Sequence, residues 1–144
     1  MIAISSDHGG YSLRKEIIRY FEENNIAYRD YGCENEDSCD YSDYAVPACD
    51  AVLSGEAEAA ILVCGTGIGM SIAANKIKGI RAAVCGDYFS AKYTRLHNDA
   101  NVLCLGGRTV GSGLALELVD VFLNTGFEGG KHKRRIDKIA DLER

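Results

Sequence analysis

The sequence predicts an α/β fold: a single-domain doubly wound sandwich whose five-stranded parallel sheet carries helices on both faces. Three observations lead there. Short apolar runs alternate five times with amphipathic stretches at helical spacing. The apolar runs are continuous, as strands buried on both faces are. Right-handed crossovers then restrict the winding, and the expected strand order is 2-1-3-4-5. No internal repeat, linker or low-complexity segment interrupts the chain, so 1–144 reads as one Rossmann-like domain.

Each element has its own signal. Ile2–Ser5 is the first strand, closed by the polar turn Ser6-Asp7-His8-Gly9-Gly10. Tyr11–Glu23 is a helix because Leu13, Ile17, Ile18 and Phe21 recur on one face. Ala27–Tyr31 is a short strand, followed by GCENEDSCDYSDY, the longest polar loop. Ala45–Leu53 reads as a helix with Pro47 near its first turn, where proline is tolerated. Ala60–Val63 is the third strand, ending at Cys64, and Met70–Lys78 the next helix, closed by Gly79. Arg81–Cys85 and Val102–Leu105 are strands four and five, with a helix over Phe89–Leu96 between them. Leu114–Leu123 is a strongly apolar helix, and a C-terminal helix starts at about 131.

Composition narrows the function. Hydrophobic residues make up 47% and charged residues 26% of the 144, an ordinary globular balance. A net charge of −5 argues against nucleic acid or an anionic membrane surface as partner. No apolar run approaches the roughly 20 residues that cross a bilayer. The first residues, MIAISSDHGG, show no export signal, so a cytoplasmic protein is expected. The six cysteines form no C-x-x-C pair and the three histidines complete no zinc pattern. Six reduced thiols and no metal are therefore expected.

In such a sheet, ligands collect beyond the carboxyl ends of the strands, where strand order reverses. That point faces Asp7-His8-Gly9-Gly10 toward Cys64-Gly65-Thr66-Gly67. The glycine loop CGTGIGM fits no standard phosphate motif. The dinucleotide fingerprint needs a third glycine where Met70 stands and belongs after strand one, and the P-loop spacing is absent. A phosphatase loop would want arginine at position 70. What remains is a cysteine before a helix N-terminus, a place that favours an anion. Gly65, Gly67 and Gly69 leave backbone amides open to an oxyanion. A base beside such a cradle suits proton abstraction next to a carbonyl, and equally acyl transfer.

Each residue also has a plainer reading. Cys64 alone reads as a core thiol, Asp7 as a helix cap, and His97 as a residue at a helix C-terminus beside a turn. The run Lys131–Arg135 reads as a solvated helix face, although in an acidic protein it is also the best candidate for gripping a phosphate, with Arg108 a second. Arg81 reads as structural.

Six stretches shift the balance: SDHGGY at 6–11, DYSDYA at 40–45, CGTGIGMSIAANK at 64–76, GIRAAVC at 79–85, HNDANVLCLGGR at 97–108 and FEGGKHKRRID at 127–137. Over nearly its whole length the chain resembles the type B ribose-5-phosphate isomerases and their galactose-6-phosphate isomerase relatives. The resemblance implies interconversion of ribose 5-phosphate and ribulose 5-phosphate through an enediolate, without cofactor or metal. It implies Cys64 as the base between C1 and C2 and Thr66 as a hydroxyl serving the substrate oxygens. The amides of Gly65, Gly67, Ile68 and Gly69 would cradle the enediolate. His97 would open the furanose ring, with Asp7, Asn98 and Tyr41 contacting the sugar. His8, Arg108, Lys131 and Arg135 would hold the phosphate. Lys131 stands where relatives often carry arginine, which keeps the charge and loses the bidentate fork. Some relatives use a glutamate a few residues beyond the cysteine position; Ile72 and Ala73 here leave the thiol as base.

Topology adds an expectation about subunits. His97 follows a helix and precedes strand five, which places it in an αβ connection at the sheet edge opposite Cys64. The separation is on the order of 15 Å, a strand length. Joint action on one substrate then requires a neighbouring chain, hence a homodimer or homotetramer with shared sites. Two other functions fit the same residues: a hexose-6-phosphate isomerase acting on allose or galactose 6-phosphate, and a non-catalytic sugar-phosphate or nucleotide-binding module.

Overall fold

The computed structural model describes residues 1–143. Strands β1 (Ile2–Ser6), β2 (Tyr28–Asp30), β3 (Ala59–Cys64), β4 (Ala82–Val84) and β5 (Val102–Gly106) form one sheet whose paired strands all run parallel. Between and after them lie α1 (Tyr11–Glu23), α2 (Tyr41–Leu53), α3 (Ile68–Asn75), α4 (Tyr88–Asn98), α5 (Ser112–Asn124) and α6 (Lys131–Ala140).

The strands divide their side chains between two cores, as a period of two requires. Ile2, Ile4, Ile61, Val63, Leu103 and Leu105 pack with Leu13, Ile17 and Phe21 of α1 and Leu118 and Phe122 of α5. Ala3, Ala60, Leu62, Val102 and Cys104 meet Ala45, Ala48 and Cys49 of α2 and Met70 and Ala74 of α3. The second layer is built from small side chains, so α2 and α3 sit close to the sheet.

The strand order is 2-1-3-5-4, not the expected 2-1-3-4-5. The reason is burial. Every residue of β5 is buried, whereas β4 is three residues long and leaves Val84 exposed. A short, half-exposed strand belongs at an edge. β5 therefore pairs directly with β3, setting Cys64 opposite Gly106.

Three boundaries also differ from the sequence reading. α2 begins at Tyr41 rather than Ala45, with Asp40 extended before it, so Pro47 lies inside the helix and offers the Asp43 carbonyl no N–H. α3 starts two residues earlier than expected, at Ile68, and ends at Asn75 rather than Lys78. α4 extends through Asn98, so His97 sits in its last turn rather than in the connection to β5.

One buried cation braces the β1 end of the sheet. Arg14 of α1 is 1% exposed and donates to Ser6 Oγ at 2.6 Å and to the Cys33 carbonyl at 2.5 Å. Asp30 lies 3.4 Å away and balances its charge. Gly32 is bare because a Cβ there would stand 1.9 Å from the guanidinium. Among the described residues no helix is long and apolar enough to cross a membrane.

At Gly10, between the end of β1 and α1, an added Cβ would lie 2.4 Å from the Val63 carbonyl oxygen, a backbone atom that cannot step aside. Gly10→Ala is accordingly expected to destabilise the fold by about 1–3 kcal/mol, read as a lower urea midpoint with an unchanged slope.

Candidate active site

The carboxyl ends of β1, β3 and β5 meet at one place, and the main chain makes the junction. Asp7 donates its N–H to the Val63 carbonyl at 3.2 Å, Gly107 to the Cys64 carbonyl at 2.8 Å, and Arg108 to the Gly65 carbonyl at 2.9 Å. A Cβ on Gly107 would stand 2.8 Å from the Gly9 oxygen, and one on Gly106 2.8 Å from the Thr66 backbone. Three loops are thus in backbone contact with no room for side chains between them.

Cys64 closes β3 and is 5% exposed. The loop after it turns back at Gly67 (φ 80°), a left-handed conformation that suits glycine. That turn aims the Gly67 N–H at Cys64 Sγ, 3.1 Å away. The N-terminus of α3 lies immediately beyond. Burial pushes the Cys49 thiol up to about 12 and Cys85 up to about 11, and Cys104 well above its ordinary value. Thr66 Oγ1 accepts from the Ile68 N–H at 3.2 Å, at the start of α3 beside the thiol.

The walls of the site come from the other loops. Asp7 is buried and accepts from the Gly10 N–H at 3.1 Å, the capping role its type predicts. His8 Nδ1 accepts from the Cys39 N–H at 3.2 Å. Neutral His8 therefore carries its proton on Nε2, which is left as a donor. Arg108 lies over Gly65, its guanidinium 3.0 Å from where a Cβ would be. The Tyr41 ring covers Gly69 in the same way, at 2.8 Å.

Asp7, His8, Tyr41, Cys64, Gly65, Thr66, Gly67, Ile68, Gly69 and Arg108 are thus gathered around this junction. His97, Asn98, Lys131 and Arg135 are not. They lie at the far end of α4 and on α6, which packs against α4. There the His97 and His132 rings stack at 4.0 Å, 10° from parallel, with Glu128 3.8 Å from His97 Nε2 and 3.4 Å from His132 Nε2. The donor atoms of all three lie within 4.8 Å of one another. Near-parallel stacked rings hold their nitrogen lone pairs side by side rather than toward a common centre, unlike the converging set of a zinc site. Glu128, His132 and Cys39 escaped the sequence reading. For the first two the signal was a spacing of four into the basic helix; Cys39 acts through its backbone, which leaves no signal.

The family described as Ribose/Galactose Isomerase matches residues 2–139. The chain belongs to that family. A putative sugar phosphate isomerase of Bacillus subtilis is 54% identical over 143 residues, covering 99% of this chain and 96% of the relative. The structure of ribose-5-phosphate isomerase B from Clostridium thermocellum superposes with a TM-score of 0.97 at 48% identity, covering 99% and 96% of the two chains. That of Mycoplasma genitalium, solved with ribulose 5-phosphate bound, gives 0.93 at 41%, covering 99% and 95%. The present chain has a cysteine and a hydroxyl at the end of β3, before the N-terminus of α3.

The contact between Tyr41 and Gly69 is tight enough to test. Gly69→Ala is expected to displace the ring and raise KM for a sugar phosphate about tenfold, an effect of roughly 1.4 kcal/mol, with a far-UV spectrum like that of the native chain.

Proposed function

We propose that this chain is an aldose–ketose isomerase that interconverts ribose 5-phosphate and ribulose 5-phosphate, with Cys64 as the base. The observation that carries the reading is the Gly67 N–H aimed at Cys64 Sγ at the N-terminus of α3. The family and the ribulose 5-phosphate complex of a 41%-identical relative support the substrate class.

The Cys64 thiolate takes the proton from C2 of the open-chain aldose as the C1 carbonyl electrons move onto O1. The resulting enediolate carries negative charge beside the amides of Gly65, Gly67, Ile68 and Gly69. Thr66 serves proton exchange between O1 and O2, and the thiol returns its proton to C1. Asp7 and Tyr41 hold sugar hydroxyls. His8, through Nε2–H, and Arg108 offer donors to the phosphate.

The remaining residues enter from a second copy of the chain. His97 stands a helix length from the carboxyl edge of its own sheet, about 16 Å for eleven residues. On this reading a homodimer brings the partner's His97 and Asn98 to the sugar ring and its Lys131 and Arg135 to the phosphate. The exposed apolar residues Ile68, Ile72, Val84, Tyr88 and Phe89 flank the cradle and the β4 edge, where such a partner would dock.

Cys64→Ala is expected to slow isomerisation of ribose 5-phosphate by about 10²–10⁴-fold, the contribution of a general base. Initial rates on ribose 5-phosphate, allose 6-phosphate and galactose 6-phosphate decide the substrate; faster turnover of a hexose phosphate would reassign the enzyme, and binding with no turnover of any would make it a binding module. For the shared site, Cys64→Ala and His97→Asn chains are mixed under proven subunit exchange. Each is inactive alone, and random pairing is expected to restore roughly a quarter of the native sites. Continued inactivity would place all catalytic groups within one chain.

A further inference from the structure

The cluster at the end of α4 is more elaborate than a lone ring-opening histidine needs. Phe89, Tyr93 and His97 follow one another at intervals of four along α4. Phe89 stacks on Tyr93 at 4.1 Å, Tyr93 meets His97 edge-on at 5.0 Å, and His132 of α6 closes the column at 4.0 Å. Glu128 is brought to this column by its backbone. Its N–H donates to the carbonyl of Leu96, the residue before His97, at 3.0 Å. Gly129 and Gly130 both have positive φ (75° and 60°), and Gly130 takes ψ −128°, a combination essentially confined to glycine. The reversal starts α6 at once and places His132 four residues after Glu128, within reach of the same carboxylate that reaches His97.

Two imidazoles in face contact cannot both be cations cheaply, and a carboxylate beside both favours one positive charge. We propose that Glu128 and His132 are positioning residues for His97: together they hold a single proton on the stacked pair and keep His97 as its carrier. The surroundings agree with that assignment. His132 is nearly buried, and burial, the His97 charge, Lys131 and Arg135 all lower its pKa, with Glu128 acting the other way. His97 is the more exposed ring and faces the uncharged Tyr93. Arg95 of α4 and Asp99, just past the helix end, pair with each other at 2.9 Å.

The function of such a proton is clear if His97 opens the ring, and the proposal rests on that reading. Opening a furanose moves the anomeric hydroxyl proton off and delivers a proton to the ring oxygen as the C1–O bond breaks. An isolated imidazole, with an ordinary pKa near 6.5, is mostly neutral at physiological pH. The Glu128 carboxylate supplies a counter-charge beside His97, and stacking on His132 limits its rotation.

The test separates the two claims. Imidazole C2–H resonances of the native chain, Glu128→Gln, Glu128→Asp and His132→Asn are titrated by NMR, with His97→Asn for assignment. Glu128→Gln is expected to lower the His97 midpoint by about 0.5–1 pH unit, a small opposite-charge effect for a half-exposed group, and Glu128→Asp to restore part of it. His132→Asn is expected to uncouple the titration, leaving one sigmoid. An unmoved His97 midpoint in folded Glu128→Gln would overturn the proposal. In the same variant kcat for ribose 5-phosphate should fall about three- to tenfold above pH 7, as the conversion of that midpoint shift predicts, and recover at lower pH. A shifted midpoint with an unchanged rate profile would leave the coupled pair in place and overturn the ring-opening role of His97 instead.

Discussion

The N–H of Gly107 on the carbonyl of Cys64, and that of Arg108 on Gly65, bind the ends of β3 and β5 into one surface of bare main chain. Everything at the site depends on this contact. It sets the turn at Gly67 that aims an amide at the thiol, lays Arg108 across Gly65, and fixes Gly9 against Gly107. Because the contacting atoms are backbone, side chains are excluded rather than selected. That explains why glycine recurs at 9, 10, 67, 106 and 107 in three loops distant in sequence.

Much of this was legible beforehand. Continuous apolar strands gave the parallel sheet, and the reversal between β1 and β3 put Asp7 opposite Cys64. Strand order was not legible, because the run GIRAAVC looks as strand-like as VLCLG until burial distinguishes them: β5 is wholly covered, β4 only in part. The consequence is chemical, since pairing β5 with β3 carries Arg108 to the cradle. The start of α2 was hidden by a polar first turn whose apolar periodicity begins only at Ala45. Glu128 was hidden by its neighbours, since Phe-Glu-Gly-Gly reads as a loop unless the two left-handed glycines are known to fold it onto α4.

The molecule carries its chemistry at two ends. At the carboxyl edge lie a thiol, a hydroxyl and donors for an oxyanion; at the far end of α4 lie two imidazoles, a carboxylate and a basic helix. On the proposed reading the first end serves carbon-acid chemistry and the second handles the ring and its phosphate. A parallel sheet enforces this separation, because every strand-to-helix loop falls on one edge and every helix-to-strand loop on the other. The homodimer proposed above would reunite them about a two-fold axis, one isologous interface completing two centres.

The glycines also divide the chain into positions that engineering must leave alone and positions open to it. Those lining the strand ends abut backbone or an arginine, and Gly67 adds a left-handed turn. Gly86, Gly111, Gly113 and Gly126 have nothing within 4 Å of a would-be Cβ and no positive φ. Gly113 even lies within the first turn of α5, where alanine is the better helix former by up to about 1 kcal/mol. Thermal hardening of this enzyme scaffold therefore has a map: stiffen the periphery, and leave the catalytic edge as entropically costly as it is.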